Sequence, residues 1–313
     1  MSKARVVLIL NGRHDDRGFV QEGYEGALRA SRDHGFHLEV VEYISKSPYG
    51  LQQQVEKAAK KGALGVIVHG SRADAAVDAV APKYPDCSFL SPGGRAAGTN
   101  VWNYAVRHFE AAYLAGVLAA RSTRSGTVGH LSGVFISPGR KGRAAYVDGV
   151  RAIDPSIRIV TGFCGDQDDP KLAERWIDAE AKVGADIIFT MLNYGRTGAI
   201  DACRAHGIHQ IGNIRNWCNE EPDVFIGSAL SRHSWSIRNW IGDLLTGKLE
   251  SGHNLHPGLE VPEAVGLAIG QGVVEEIRDE IAEIAAEIVA GTRVVNTDYD
   301  GPEFSPDASV EEA

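Results

Sequence analysis

Short apolar runs alternate with amphipathic stretches along almost the whole chain, beginning with "RVVLIL" at residues 5–10. No other feature narrows the fold as much. A strand that is apolar at successive positions has to be covered on both faces, as strands inside a parallel sheet are. Parallel neighbours in turn need a crossover of about a dozen residues, normally a helix. The pattern therefore predicts an α/β protein built from βα units. Further strands are expected in "HLEVVEY", "LGVIVHG", "CSFLS", "TNVW", "TVGHL", "IRIVTGF", "DIIFTML", "HQIGN", "DVFIGS" and "VGLAI". Helices are expected at Phe19–His34, closed by Gly35 as a C-cap, and at residues 51–61, 73–80, 107–121, 142–152, 170–183, 197–206, 233–245 and 273–290. The tail "NTDYDGPEFSPDASVEEA" is acidic and rich in turn residues, and reads as irregular or disordered.

One segment repeats another. "GALGVIVHGSRADAAVDA" (62–79) aligns with "GADIIFTMLNYGRTGAIDA" (184–202) with one residue added. Two chance βα units would look alike in this way. So would two lobes of one architecture, each aiming a loop from the carboxyl edge of its sheet, where open α/β sheets bind ligands. The second reading sets His69, Gly70 and Ser71 opposite Asn193, Tyr194 and Gly195. A length of 313 residues also suits two compact lobes. Turn residues cluster in "ARSTRSGTVG" (120–129) and "GKLESGHNLHPG" (247–258), where the chain is expected to change lobe. The expected division is an N-terminal lobe of residues 1–122 plus 253–290, a C-terminal lobe of residues 123–252, and a tail of residues 291–313.

A net charge of −9 without a basic stripe argues against a nucleic-acid partner, because there is little to exchange for phosphate counterions. The four cysteines lack metal-ligand spacing and read as free structural thiols, although an even number also permits two disulfides. "GDLLTGKL" follows the phosphate-loop pattern but ends in leucine where Ser or Thr is required, and it closes a helix instead of following a strand. "GQGVVE" lacks the third glycine of the dinucleotide fingerprint, and "HNLH" has no acidic or third-histidine partner nearby. No nucleophile elbow is present. No cofactor, metal or catalytic residue is therefore expected. The apolar run at residues 6–10 is shorter than the roughly 7–15 residues of a secretory core. The chain as it stands is expected in the cytoplasm, and in the periplasm or lipid-anchored if an export signal lies outside it.

The first βα turn, "NGRHDDRGFV", places two carboxylates and an aromatic ring where a plain reversal needs neither. One aspartate can cap the following helix, a role assigned to Asp15. Several segments resemble the basic membrane protein family, the purine-nucleoside-type substrate-binding lipoproteins of ABC importers. "DRGFV" falls on that family's Asp-x-Ser-Phe-Asn, "YPDCSF" on its Tyr-Pro-Asp-x-x-Phe, and "FEAAYLAGVLAARSTRSGTVGHLSG" (109–133) on its Glu-x-x-Tyr-Leu-Ala-Gly helix and the strand after it. The resemblance spans roughly residues 5–290. It implies a two-lobed type I periplasmic-binding-protein-like fold, with a parallel sheet flanked by helices in each lobe. It also implies that Phe19 stacks on a planar base while Asp16 accepts hydrogen bonds from it.

The departures bear on the ligand. The acidic position after "YPDCSF" is replaced by "SPGG", and the ribose-holding aspartate of Gly-Val-Asp-x-Asp-Gln falls in "GNIRNW" (212–217), which has no carboxylate. The family's downstream lysine falls in "SALSRH", where Ser231 or Arg232 stands. A small planar nitrogen-bearing molecule, such as a free nucleobase, suits this better than a nucleoside. The candidate ligand-binding set is Asp16, Phe19, Gly70, Ser71, Asn193, Tyr194, Asn213, Trp217 and Arg232. Trp102 and Tyr104 read equally as ligand contacts or core. The expected function is capture of such a ligand by closure of two lobes, with an ABC permease as partner. The alternatives are a cytoplasmic ligand sensor of the same fold and, with less in the sequence to carry it, a nucleoside-processing enzyme. The sequence leaves the oligomeric state open.

Overall fold

The computed structural model describes residues 4–43, 47–70, 73–91, 95–250, 254 and 256–307. The chain divides into two compact units, one of residues 1–106 and 232–257, the other of residues 107–231 and 258–313. The first holds a five-stranded, all-parallel sheet in the order β2-β1-β3-β4-β5. Its strands are β1 Arg5–Asn11, β2 His37–Glu42, β3 Gly65–Gly70, β4 Ser88–Leu90 and β5 Val101–Trp102. The second holds a six-stranded sheet in the order β11-β10-β9-β8-β6-β7. Its strands are β6 Thr127–Ser132, β7 Arg158–Phe163, β8 Ile187–Met191, β9 His209–Ile214, β10 Phe225–Ser231 and β11 Val265–Ile269. Every pairing in it is parallel except β10 with β11.

From β7 to β10 the second sheet repeats the strand order of the first. The segment at 62–79 lies on β3 and α3 (Ala73–Val80), and the segment at 184–202 on β8 and α7 (Arg196–His206), the corresponding units of the two sheets. Strand order reverses between β1 and β3, and again between β6 and β8, so each sheet has one switch point at its carboxyl edge.

Alternation along the strands sorts the core of the first unit. Val7, Ile9, Val66 and Val68 pack with Leu51 and Val55 of α2 (Pro48–Lys60) and with Val77 of α3. Val6, Leu8, Leu10 and Ile67 pack with Val20, Ala27 and Ala30 of α1 (Phe19–His34), and with Ile237, Trp240 and Ile241 of α9 (His233–Thr246). Helix α1 ends as expected, on Gly35 in the left-handed conformation at φ 67°. Trp102 and Tyr104 join this core, and the indole of Trp102 donates to the Glu250 carbonyl at 2.8 Å.

The expected lobe boundaries need correction. Helix α9 was expected in the C-terminal lobe, but its tryptophan and isoleucines cover the first sheet. Strand β11 and helix α10 (Glu275–Val289) were expected to complete the N-terminal lobe. Instead β11 pairs antiparallel with β10, and α10 packs on α4 (His108–Ser122), which also belongs to the second unit. A sheet needs both faces covered, and helices from other parts of the chain supply the covering. As far as residue 307 the tail is irregular as expected, yet it is tied down. The Phe304 amide donates to the Thr161 carbonyl of β7 at 2.8 Å, and Glu303 pairs with buried Arg143. All four cysteines are free thiols. Among the described residues no helix is long and apolar enough to cross a membrane.

Helix α6 (Pro170–Lys182) carries Glu180, which is fully buried, and neither of its carboxyl oxygens has a hydrogen-bond partner. Burial pushes this carboxyl well above its ordinary range. It is therefore protonated when folded at neutral pH and ionised when unfolded. Its stabilising contribution is complete below the unfolded value of 4.5 and is lost as pH rises toward the folded one. The loss is about 1.4 kcal/mol per pH unit. Glu180→Gln, which has no proton to lose, is expected to melt at higher temperature than the wild type at pH 8, with the advantage vanishing near pH 4. Thermal melts across that range check this.

Candidate functional site

In the first unit the candidate residues gather where β1 and β3 end, at the switch point. Helix α1 begins after Gly18, which has no side chain to cap it. Asp16 serves instead: Oδ1 accepts from the Gly18 and Gln21 amides, both at 2.9 Å, and Oδ2 from the Val20 amide at 3.0 Å. Three of roughly four acceptor positions are thus committed to orphan amides. Burial raises the Asp16 carboxyl against these three bonds. Asp15 is exposed, and its carboxyl is held below the usual range by Arg13, whose Nη2 lies 2.7 Å away. The cap expected of Asp15 is therefore supplied by Asp16, and Asp15 forms a surface ion pair.

Phe19 opens α1 half-buried, packed against the core of its unit. Its ring stacks on His69 at 4.1 Å and 22°, and meets His233 edge-on at 4.6 Å and 78°. His69 Nε2 lies 2.7 Å from the Phe19 carbonyl. A carbonyl only accepts, so Nε2 carries the proton. Complete burial lowers the imidazole to about 4, so it is neutral at physiological pH, and its Nδ1 is a bare acceptor with no partner. One histidine thus holds the ring by its face and by its own main chain.

Gly70 follows His69 at φ 139°, and a Cβ there would stand 2.6 Å from that of Asn11. Only glycine fits. Ser71 lies outside the described residues. Arg232 precedes α9 and lines a small polar pocket with Glu22, Arg29, Ser234 and Arg238, beside the ring cluster and not within it.

In the second unit β8 runs into Asn193 and Tyr194. The amides of Asn193 and Gly195 both donate to the Gln167 carbonyl at 3.0 Å, and Tyr194 is 43% exposed. Asn213 and Trp217 have internal roles. Arg196, itself buried, donates to Asn213 Oδ1 and to Thr190 Oγ1, the latter at 2.7 Å. The Trp217 ring is 1% exposed, stacked on Phe225 at 5.7 Å, with the Arg196 guanidinium 4.8 Å from its centre. Its indole donates to the Asn213 carbonyl at 3.0 Å. The tryptophan expected to enclose a ligand is therefore core, because its polar edge already has an acceptor and its face a cation.

Sequence reasoning passed over the loop after β6. Val134, Phe135 and Ile136 are exposed there, at the switch point of the second sheet, and Phe135 meets Phe163 edge-on at 4.8 Å. The signal was available: three consecutive apolar residues stand where the repeated strand order puts the counterpart of residues 12–18.

Asp16→Ala is expected to lower stability by about 1–2 kcal/mol or somewhat more, since it strands amides of the first helical turn. Asp15→Ala, which removes only an exposed ion pair, is expected to leave stability almost unchanged. Denaturant unfolding of the two variants tests which aspartate caps the helix.

The chain is similar to several known proteins. The chain is 26% identical over 145 residues to a purine-binding protein of Brucella abortus, covering 46% of this chain and 41% of that one. In structure it resembles an ABC transporter system solute-binding protein from Aeropyrum pernix K1, with TM-score 0.83, 20% identity, and 95% and 94% of the two chains covered. It also resembles a transcriptional activator of the comK gene from Bacillus halodurans, with TM-score 0.78, 19% identity, and 93% and 99% covered. The profile of the Bmp family, described as ABC transporter substrate-binding protein PnrA-like, matches residues 3–298, and the chain belongs to that family.

Proposed function

We propose that this protein captures a small planar nitrogen-bearing molecule, a purine base before a purine nucleoside, and delivers it to an ABC permease. The observation that carries the reading is the Phe19 ring, held by His69 and His233 at the switch point of the first sheet. Stacking of a planar ligand on an aromatic ring is worth about 1–3 kcal/mol per base in nucleic-acid systems. Family membership and the purine-binding relative support the chemical class. The family is one of substrate-binding proteins and not of enzymes. Preference for the base rests on "GNIRNW", where no carboxylate is available to a ribose. Under this reading the protein acts outside the cytoplasm.

The likeness to a transcriptional activator favours one second reading, a ligand sensor of the same fold. Uptake of radiolabelled adenine separates the two: it falls in cells lacking a transport protein and is unchanged in cells lacking a sensor.

Calorimetric titration is expected to show adenine or guanine binding at least tenfold more tightly than adenosine or guanosine, with Phe19→Ala weakening the base at least tenfold. Nucleosides binding tenfold more tightly than bases would overturn the preference. A Phe19→Ala variant of unchanged affinity would remove the ring from the site. We further propose that capture engages both units. The distance between spin labels at positions 16 and 194 is then expected to shorten at saturating ligand, and an unchanged distance would count against closure.

A further inference from the structure

Among the described residues β7 has a neighbour, β6, on one side only, so it forms an edge of the second sheet. An edge strand offers its main-chain groups to any extended chain, and proteins keep such edges covered. Here the tail supplies the cover. Residues 296–307 lack regular secondary structure, belong to the same unit as β7, and meet it through three kinds of contact.

The first contact is main chain: the Phe304 amide donates to the Thr161 carbonyl at 2.8 Å. Gly162 makes room for it, because a Cβ there would stand 2.8 Å from the Phe304 carbonyl oxygen and 2.3 Å from the Trp176 ring. Glycine within a strand is used where another backbone comes close. The second contact is aromatic. The Phe304 ring packs against the core of the unit and meets Trp176 of α6 edge-on at 6.1 Å and 73°. The third is ionic. Glu303 pairs with Arg143 of α5 (Ser137–Ile153), whose side chain is only 4% exposed. That guanidinium lies 4.7 Å from the centre of the Phe163 ring and 4.4 Å from that of Tyr299, and its buried Nε has no hydrogen-bond partner. Guanidinium stacked on ring faces is well matched to a carboxylate. Removing the carboxylate from a buried cation is strongly destabilising, whereas an exposed pair such as Arg175 with Asp307 counts for little. Glu303 and Phe304 are thus the two residues that fix the tail in place.

We infer that the outer edge of β7, with Arg143 and Trp176 beside it, is a binding groove for an extended acidic peptide carrying a Glu-Phe pair, and that the chain's own tail is its resident occupant. Main-chain pairing on a sheet edge, with separate seats for neighbouring side chains, is a recurring way of binding extended peptides. Charge agrees with the assignment: residues 296–307 hold four carboxylates and no Lys or Arg, and they face two arginines. The family profile ends at residue 298, so Glu303 and Phe304 lie beyond it. A tethered occupant is present at an effective concentration on the order of millimolar. A segment from another chain therefore enters the groove when the tail's own contacts are weakened.

The test uses the full chain carrying Glu303→Ala and Phe304→Ala, and a fluorescent peptide of residues 296–307. The peptide is expected to bind this variant at least tenfold more tightly than the wild type, whose own tail competes, and to raise the variant's melting temperature. The same peptide with both residues changed to alanine is expected to bind the variant at least tenfold more weakly. Phe304→Ala alone leaves buried Arg143 its carboxylate, and it carries the comparison if the double variant does not fold. If the native peptide binds neither variant, or binds no better than the doubly substituted peptide, the inference is overturned and the tail is packing alone.

Discussion

A parallel strand can rejoin its sheet only by crossing over one face, so the turns that follow the parallel strands of a sheet all lie on its carboxyl edge, antiparallel β11 running the other way. That constraint organises each unit. The helices occupy the faces, and the carboxyl edge is left for loops. Where strand order reverses, between β1 and β3 and between β6 and β8, successive crossovers leave on opposite faces and their loops diverge. The Phe19–His69–His233 ring cluster stands at the first of these points, and the exposed 134–136 loop and Tyr194 stand at the second. The same order of five strands occurs in both sheets, so the same opening is made twice.

Covering both faces of each sheet has costs that the structure meets in identifiable ways. The first sheet takes α9 from a distant part of the chain, whose Trp240 is fully buried with Ile237 and Ile241. In the second unit α4 and α5 (Ser137–Ile153) cross in close contact: a Cβ on Gly116 would stand 2.1 Å from the Tyr146 carbonyl, and one on Gly149 would stand 2.2 Å from that of Tyr113. Buried guanidinium groups in these layers have partners, as Arg143 has Glu303, while burial drives two other titratable groups toward their neutral forms. Glu180 is held protonated. His130 is lowered to about 3 by burial, with its ring nitrogens satisfied by Thr161 at 2.8 Å and Ser132 at 2.9 Å. Desolvating a charge costs more than surrendering or withholding a proton.

The two candidate edges are built on different physical principles. In the first unit an aromatic ring is fixed by contacts on its face, its edge and its own carbonyl, on a helix whose orphan amides Asp16 satisfies. In the second, hydrogen bonds hold a main-chain turn at Ile214, whose φ is 69°, against its own strain, with a guanidinium packed on Trp217 behind it.

The sequence by itself determined the class of fold, the identity of nearly every strand and helix, and the family. Hydrophobic periodicity and capping glycines are local properties, and a motif such as residues 109–133 persists in the chain whatever it packs against. It also showed that the first turn is unusual and that one segment is repeated, which the structure puts at corresponding places in the two sheets. What it left open depended on partners far away in the chain. Adjacent aspartates look alike until the start of α1 shows which one its amides reach. Trp217 resembled a ligand contact because only the folded chain brings Phe225 and Arg196 to its faces. Helix α9 and strand β11 exchanged units because covering a sheet is decided by shape and area, and not by order along the chain. The short helix α8 (Trp217–Glu220) gave no periodic signal of its own. Ile214 was invisible for the plainest reason: its residue type argues against the left-handed conformation it adopts, and hydrogen bonds from Trp217, Arg196 and Ser228 to the residues on either side hold it there.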